Sequence, residues 1–508
     1  MARERRTAEA VRMNRAVAAI AALNFAFHMA TAKLYGFFID EIYFLACGQH
    51  LDWGYVDFPP LTAFQAWLTR HLFGDSAYSI RLFPSLAAAG IVLLAVAIAR
   101  ELGGGRTAQI VAAIVAFLSP GYLAFCSYLS MNAIEPLIWG SCALVVIRII
   151  KRDDPRLWPW FGVLAGIGML NKHTMLVFGF AVVAGLLLTP DRRLMFNRWF
   201  LLAGAIAFVI FLPNLIWEIC HHFPHIEQLR NIQRNGRDVQ MNPVVFLLWD
   251  GLMANPLAAP LWIAGLVSLI AGSLKRYRAI GYAWIIAYLV LIAVHGRFYY
   301  LLPAFVMIIG AGAVVVERLP RPALVAYAAL IVLCGMLIAP ISVPVLPPDA
   351  YVRFTQITHI DQPKFEHRRT TSMPQFFADR FGWPEMTAAV ARAYFSIPPA
   401  ERAKTGIFGN DYGQSGAIDF YGPRYGLPKS IGGHLTNWYW GPRNYTGESL
   451  LVLGDDRETL EQKFEVVIPM AEIGHPYAMQ QEHFTLFWVK KPRGFTLQSA
   501  WPMLKKFE

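Results

Sequence analysis

Apolar residues gather in eleven long runs that fill the chain as far as Pro340. The runs are Arg15–Ala32, Leu82–Ala99, Thr107–Phe125, Ile134–Ile150, Trp158–Leu170 and Thr174–Leu188, then Trp199–Ile219, Leu257–Leu274, Ile280–Val294, Tyr299–Val316 and Ala323–Pro340. A bilayer core about 30 Å thick takes about twenty helical residues, so such runs read as membrane-crossing helices. Composition agrees, with 56% hydrophobic and only 16% charged residues. A soluble chain carries about a quarter charged residues. The expected fold class is a polytopic α-helical membrane protein with about eleven transmembrane helices.

A net charge of +11 raises the question of nucleic acid. The placement of the cations argues against it. They sit in short clusters between the apolar runs, and no basic arm with interleaved aromatics exists. One set of loops holds Arg3, Arg5, Arg6, Arg12 and Arg15, then Arg100 and Arg106, then Arg148, Lys151, Arg152 and Arg156. It continues through Arg192, Arg193 and Arg198, Lys275, Arg276 and Arg278, and Arg318 and Arg321. The alternate loops are poorer in cations. The positive-inside bias makes the basic set cytoplasmic. The start, MARERRTAEAVRMNR, reads as an uncleaved signal anchor with its N-terminus inside. An odd number of crossings then puts the segment after Pro340 on the periplasmic side of an inner membrane.

That segment changes character. ISVPVLPPD is a Pro-rich linker, and the soluble part beyond it reads as α/β. Strands are expected at Gly406–Phe408, Leu450–Leu453 and Phe484–Val489, and helices at Pro384–Phe395, Gln414–Tyr421 and Arg457–Phe464. The expected division is a transmembrane domain over 1–344, with its first outer loop at 34–81, and an extracytoplasmic domain over 345–508. All five cysteines precede it, so it is expected to fold without disulfides.

The outer loops hold the residues fit for chemistry. FIDEIYFLACGQHLDWGYVDFPPL carries Asp40, Glu41, Tyr43 and Asp57. Acids can bind hydroxyls and rings can stack on a sugar face. An interfacial loop with water-facing acids and a headgroup aromatic belt explains the composition equally well. In the second outer loop Asn132 and Glu135 stand at helical i, i+3 spacing and face one side. Glu135 near a helix start is also a common stabilising placement. Lys172 and His173 lie between two short apolar helices, where a Lys calls for an anionic partner. That partner is either a bound phosphate or a loop acid. Arg297, with Tyr299 and Tyr300 beside it, suits phosphate because its planar fork matches two oxygens. Cys220, His221, His222 and His225 match no structural zinc spacing, and no metal site is expected. FGNDYGQSGAIDFYG reads as strand, Gly-rich turn and helix, a weak anion-binding signal. GGHLTNWYWGP is either a saccharide-facing loop or aromatic packing.

These motifs carry a resemblance. The acid pair Asp40–Glu41 followed by GYVDFPPL, together with LSMNAIEPLIW, GMLNKHTM and FLPNLIWEICHHFPHIEQLRN, resembles glycosyltransferase family 39 of the GT-C superfamily. That family includes protein O-mannosyltransferases and lipid A aminoarabinose transferases. The resemblance covers about Met13 to Pro340. It implies a polyprenyl-phosphate sugar donor, inversion at the anomeric carbon, and Asp40 as the acid–base residue. No cofactor is expected, since a monophosphate leaving group has less need of a divalent metal than a nucleotide diphosphate. Two departures leave sugar and acceptor open. Phe58 follows Asp57 where the aminoarabinose transferases place a basic residue, and Asn132 with Glu135 replaces an Asp common at the start of the fourth helix.

The expected site follows. Asp40 and Glu41 form the catalytic pair. Lys172, His173, Arg297 and Tyr299 bind the donor phosphate. Tyr43, Asp57, Asn132 and Glu135 contact sugar or acceptor, which is a lipid or another envelope glycan. The competing class is a transporter or flippase of a lipid-linked saccharide. Transporters show repeated halves, and this chain shows no such repeat.

Overall fold

The computed structural model describes residues 15–508 except 361, 363 and 365. The basic stretch with Arg3, Arg5, Arg6 and Arg12, expected to be a signal anchor, lies outside the described residues. The chain forms two compact units. The first holds the segments through Ala32, Ser76–Leu215 and Gln240–Val345. The second joins Lys33–Asp75 and Ile216–Val239 to Leu346–Glu508, so the first outer loop packs within the same unit as the C-terminal segment.

All eleven apolar runs are helical. Among the described residues six helices are long and apolar enough to cross a membrane, or seven if one bent pair is a single span. Arg15–Thr31, Arg106–Phe117 and Met175–Leu187 are shorter apolar helices. The difference from the count of eleven comes from short helices, Arg15–Thr31, Trp158–Asn171 and Met175–Leu187 having 17, 14 and 13 residues, and from breaks. The run expected over Thr107–Phe125 divides into Arg106–Phe117 and Pro120–Phe125. Pro120 has no N–H to continue the first helix but fits the first turn of the second. A second break bends Pro243–Met253 by 105° against Pro256–Ile270. Asn255 makes that corner with φ +99°. Its side chain accepts from Leu257 N at 3.1 Å and donates to Leu118 O at 3.1 Å.

Small residues let the helices approach. A Cβ on Gly265 would lie 2.4 Å from Ile308 O, and one on Gly312 would lie 2.2 Å from Leu261 O. Helices Ala259–Ile270 and Phe305–Val316 therefore touch backbone to backbone, as membrane helices do when packing replaces the hydrophobic effect. The basic loops find one another. Arg148 and Lys151 face Glu101 at 3.5 Å, and Arg276 donates to Asp191 at 2.7 Å and to Ile150 O. Glu317 accepts from Gly105 N at 2.8 Å. The membrane-spanning helices Arg198–Cys220 and Arg321–Ser342 leave most of their apolar surface exposed, which suits contact with lipid.

The second unit carries a four-stranded sheet: β1 Thr405–Gly409, β2 Ser449–Leu453, β3 Phe464–Ile473 and β4 Phe484–Pro492. Its order is β1-β2-β4-β3. The β1/β2 pair is parallel and the other two are antiparallel, with Gly406 opposite Leu450 and Val467 opposite Val489. Leu450, Val452, Phe464, Phe487 and Val489 anchor its core. Strand β3 was not expected from the sequence. Most of its middle residues are half-buried or exposed, and Pro469 and Glu472 interrupt the apolar pattern.

Helix Ile39–Gly48 lies against helix Tyr412–Tyr421 in this unit. A Cβ on Gly413 would lie 2.5 Å from Ile39 Cγ1, and one on Gly416 would lie 2.7 Å from Ile42 Cγ2. Burying each isoleucine is worth about 1.5–3 kcal/mol. That packing brings the Asp40 helix and the Gly-rich turn together.

Candidate active site

In the second unit Asp40 and Glu41 begin the helix Ile39–Gly48, where a helix end favours negative charge. Their side chains differ in use. Glu41 is fully buried and folds back, accepting from Phe38 N at 2.9 Å. Asp40 Oδ1 accepts from the Tyr412 hydroxyl at 2.8 Å. Asp57 is close by: Tyr43 OH donates to Asp57 Oδ1 at 2.8 Å. Tyr43 is itself fixed by Thr436, 2.7 Å from its hydroxyl, and Thr436 Oγ1 accepts from Val56 N at 3.1 Å. The rings reinforce the network, with Tyr43 and Tyr412 centroids 5.1 Å apart and Phe58 edge-on to Tyr43 at 5.7 Å.

Burial pushes the Asp57 carboxyl up to about 7, and the negative charge of Asp40 adds to the rise. Tyr412 is also pushed well up, by burial and then by Asp40, so it stays a neutral donor. Two carboxyl groups with different environments are the pattern of divided acid–base roles.

In the first unit Lys172 Nζ donates to Asn132 Oδ1 at 2.8 Å and to Glu135 Oε2 at 3.1 Å. The other Glu135 oxygen accepts from the Thr174 hydroxyl. Lys172 also lies 4.0 Å from the centre of the Tyr300 ring and 5.7 Å from that of Tyr299. His173 Nε2 meets Asn214 Oδ1 at 3.0 Å, and Arg297 reaches the Tyr299 hydroxyl at 3.3 Å. Of the two readings of Lys172, the protein partner is therefore present, and it is Glu135.

Residues 57–217 match the family model described as dolichyl-phosphate-mannose-protein mannosyltransferase. The matched stretch holds Asp57, Asn132, Glu135, Lys172 and His173, and stops short of Asp40 on one side and Arg297 on the other. The lipid A galacturonosyltransferase RgtD of Rhizobium johnstonii is 28% identical over 202 residues, 39% of this chain and 41% of that protein. The chain thus spans about two-fifths of the curated relative it matches. ArnT from Cupriavidus metallidurans bound to undecaprenyl phosphate superposes with TM-score 0.60 at 12% identity, over 93% of this chain and 97% of that one. Its apo state gives the same TM-score at 13% identity. The fold is shared with ArnT over nearly the whole chain.

The structure joins Asp40, Tyr43 and Asp57 in one network, and Asn132, Glu135 and Lys172 in another. Sequence reasoning missed Tyr412 and Thr436. Both lie in motifs it had singled out, the Gly-rich turn and GGHLTNWYWGP, but no local pattern pairs them with residues 40 and 43. The turn itself carries its own anion, because Asp411 accepts from Gly413 N at 2.7 Å. In the Cys220–His225 segment, His221 stacks on Trp217 at 4.1 Å and meets Tyr439 edge-on at 5.0 Å.

Proposed function

We propose that the chain is an inverting glycosyltransferase. It moves a sugar from a polyprenyl-phosphate donor to a lipid or envelope-glycan acceptor on the periplasmic face of the inner membrane. The observation that carries this reading is Asp40, held by Tyr412 at 2.8 Å beside the Asp57–Tyr43 pair. ArnT is bound to undecaprenyl phosphate in its solved structure, and RgtD is a lipid A galacturonosyltransferase. Both support a lipid-linked donor and a lipid acceptor. In this reading residues 1–344 form the membrane part with a cytoplasmic N-terminus, and 345–508 stand in the periplasm.

Asp40 is the base. The acceptor oxygen attacks the anomeric carbon, the bond from that carbon to the phosphate oxygen breaks, and the acceptor proton passes to Asp40. A positioned base contributes roughly 10²–10⁴-fold. The lipid monophosphate leaves with the bonding electrons. Lys172 and Arg297 receive its charge, with Tyr299 and His173 beside them. Lys172 has three N–H groups, and Glu135 with Asn132 fixes two of them. Glu41 locks the start of the helix that carries Asp40, and Tyr43 with Asp57 addresses sugar or acceptor hydroxyls.

The test is mass spectrometry of envelope glycolipids and glycoproteins from a deletion strain complemented with wild type or with Asp40→Asn at matched expression. One sugar-sized mass should vanish on deletion and return only with wild type. Full restoration by Asp40→Asn removes the proposed base and brings the transporter reading forward.

A further inference from the structure

The second unit contains a cavity of about 380 Å³ that the proposed chemistry does not use. It is walled by four stretches distant in sequence, around Arg237, Arg368, Asp411 and Glu482, with His434 and Lys506 at its margin. It is at the small end of small-molecule sites, which run about 300–1,000 Å³. Among the described residues no aliphatic side chain lines it, so it does not suit an acyl chain.

Glu482 is the informative group. It is 7% exposed, and its Oε2 accepts from Gln414 Nε2 at 3.2 Å, while Oε1 has no hydrogen-bond partner. A buried acceptor left unmade costs about 1–3 kcal/mol, more for a charged group. Gln414 is held against Gly454, where a Cβ would lie 2.8 Å from Gln414 Nε2 and where φ is +74°. The wall is therefore built around a glycine that leaves room for the amide.

The charges select the ligand class. Arg237 and Arg368 both clamp buried Glu366, at 2.7 and 2.9 Å, which offsets part of their field. Asp411 occupies the helix start that a free anion would need. Glu482 adds a second carboxyl. Acceptors and N–H donors stand side by side with no net excess of positive charge. A phosphate is poorly served there. A sugar hydroxyl, which donates and accepts at once, is well served. Asp411, in its wall, directly precedes Tyr412, whose hydroxyl binds Asp40.

We propose that this cavity holds an uncharged pyranose ring of the acceptor glycan, with one ring hydroxyl donating to Glu482 Oε1. Naming the ring as the acceptor's rests on the transferase reading; the saccharide site itself does not.

The test is saturation-transfer NMR on the full chain in nanodiscs, with the methyl glycosides of glucose, galactose and mannose, and with inorganic phosphate as competitor. Transfer to at least one glycoside is expected. Glu482→Ala should weaken it about tenfold, since a buried hydrogen-bond acceptor is lost. Glu482→Gln, which keeps the shape, should fall between, and the thermal midpoint of each variant reports that it has folded. No transfer to any glycoside at millimolar concentration overturns the site, as does equal transfer in wild type and both folded variants. Displacement of a bound glycoside by millimolar phosphate reassigns the cavity to an anion and overturns the uncharged class. Binding without any transferase product leaves the cavity standing and removes the transferase reading. Transferase product without glycoside binding does the reverse.

Discussion

The Tyr412 hydroxyl donates to Asp40 Oδ1 at 2.8 Å across 372 residues of sequence. The phenol does for the proposed base what an orienting partner does in any acid–base site. It sets the direction of the lone pairs that receive the proton. Tyr412→Phe removes that one bond and keeps the ring. The expected result is a fall in kcat of roughly 10–100-fold with KM little changed, because misplacement of a reacting group is costly in the transition state. Loss of fold stability should stay near ~1 kcal/mol. Steady-state transfer kinetics with the product identified by mass spectrometry, set beside thermal midpoints, separate the two effects.

Asp57 gives a pH signature. Its carboxyl moves from 3.8 to about 7 on folding, chiefly by burial. Below the unfolded value both states hold the proton. Between the two values only the folded state holds it, so unfolding releases a proton and stability falls as pH rises. The loss is complete above pH 7 and amounts to at most about 4 kcal/mol. Asp57→Asn imitates the protonated acid. Between pH 5 and pH 8 its unfolding midpoint should drop less than that of wild type. Parallel curves for the two proteins exclude this origin.

Lys172 and Glu135 form a buried pair, with side chains 11% and 3% exposed. Lys172→Met leaves Glu135 buried beside an apolar chain, which costs about 3–5 kcal/mol. The double variant Lys172→Met with Glu135→Gln should recover much of that stability while transfer stays lost. A double variant as unstable as the single one excludes charge burial as the cause. The readout is an unfolding titration in mixed detergent alongside the transfer assay.

Gly416 is one of two close approaches between helix Ile39–Gly48 and helix Tyr412–Tyr421. Gly416→Ala pushes a methyl into Ile42 Cγ2, with 2.7 Å available. Overpacking of this kind costs about 1–3 kcal/mol. Activity and midpoint should fall together, and Ile42→Val should restore part of both. A Gly416→Ala protein with wild-type kinetics shows that the two helices separate without consequence.

Much of this was legible because it is local. A run such as Leu82–Glu101 declares itself a helix by composition, and β2 and β4 announce themselves by β-branched and aromatic residues between turns. The acid pair at positions 40 and 41 stood out by its place after the first apolar run. What each acid does was not legible. Glu41 turns back to its own helix start, a matter of one rotamer, while Asp40 points to a tyrosine that only tertiary packing delivers. The Lys172 partner was narrowed to a loop acid or a phosphate, and choosing Glu135 needed the fold. Strand β3 was hidden because an edge strand with a proline and two exposed acids has no clean alternation.

The second compact unit is assembled from three stretches of chain, 33–75, 216–239 and 346–508. A ribosome delivers them in that order, at about 5–20 residues per second. The helix bearing Asp40 is thus made early and waits through the synthesis of some 360 further residues before Tyr412 exists. During that interval the nascent chain can enter the membrane, but Asp40 lacks the hydroxyl that holds it. Competence arrives late and all at once, with the last third of the polypeptide.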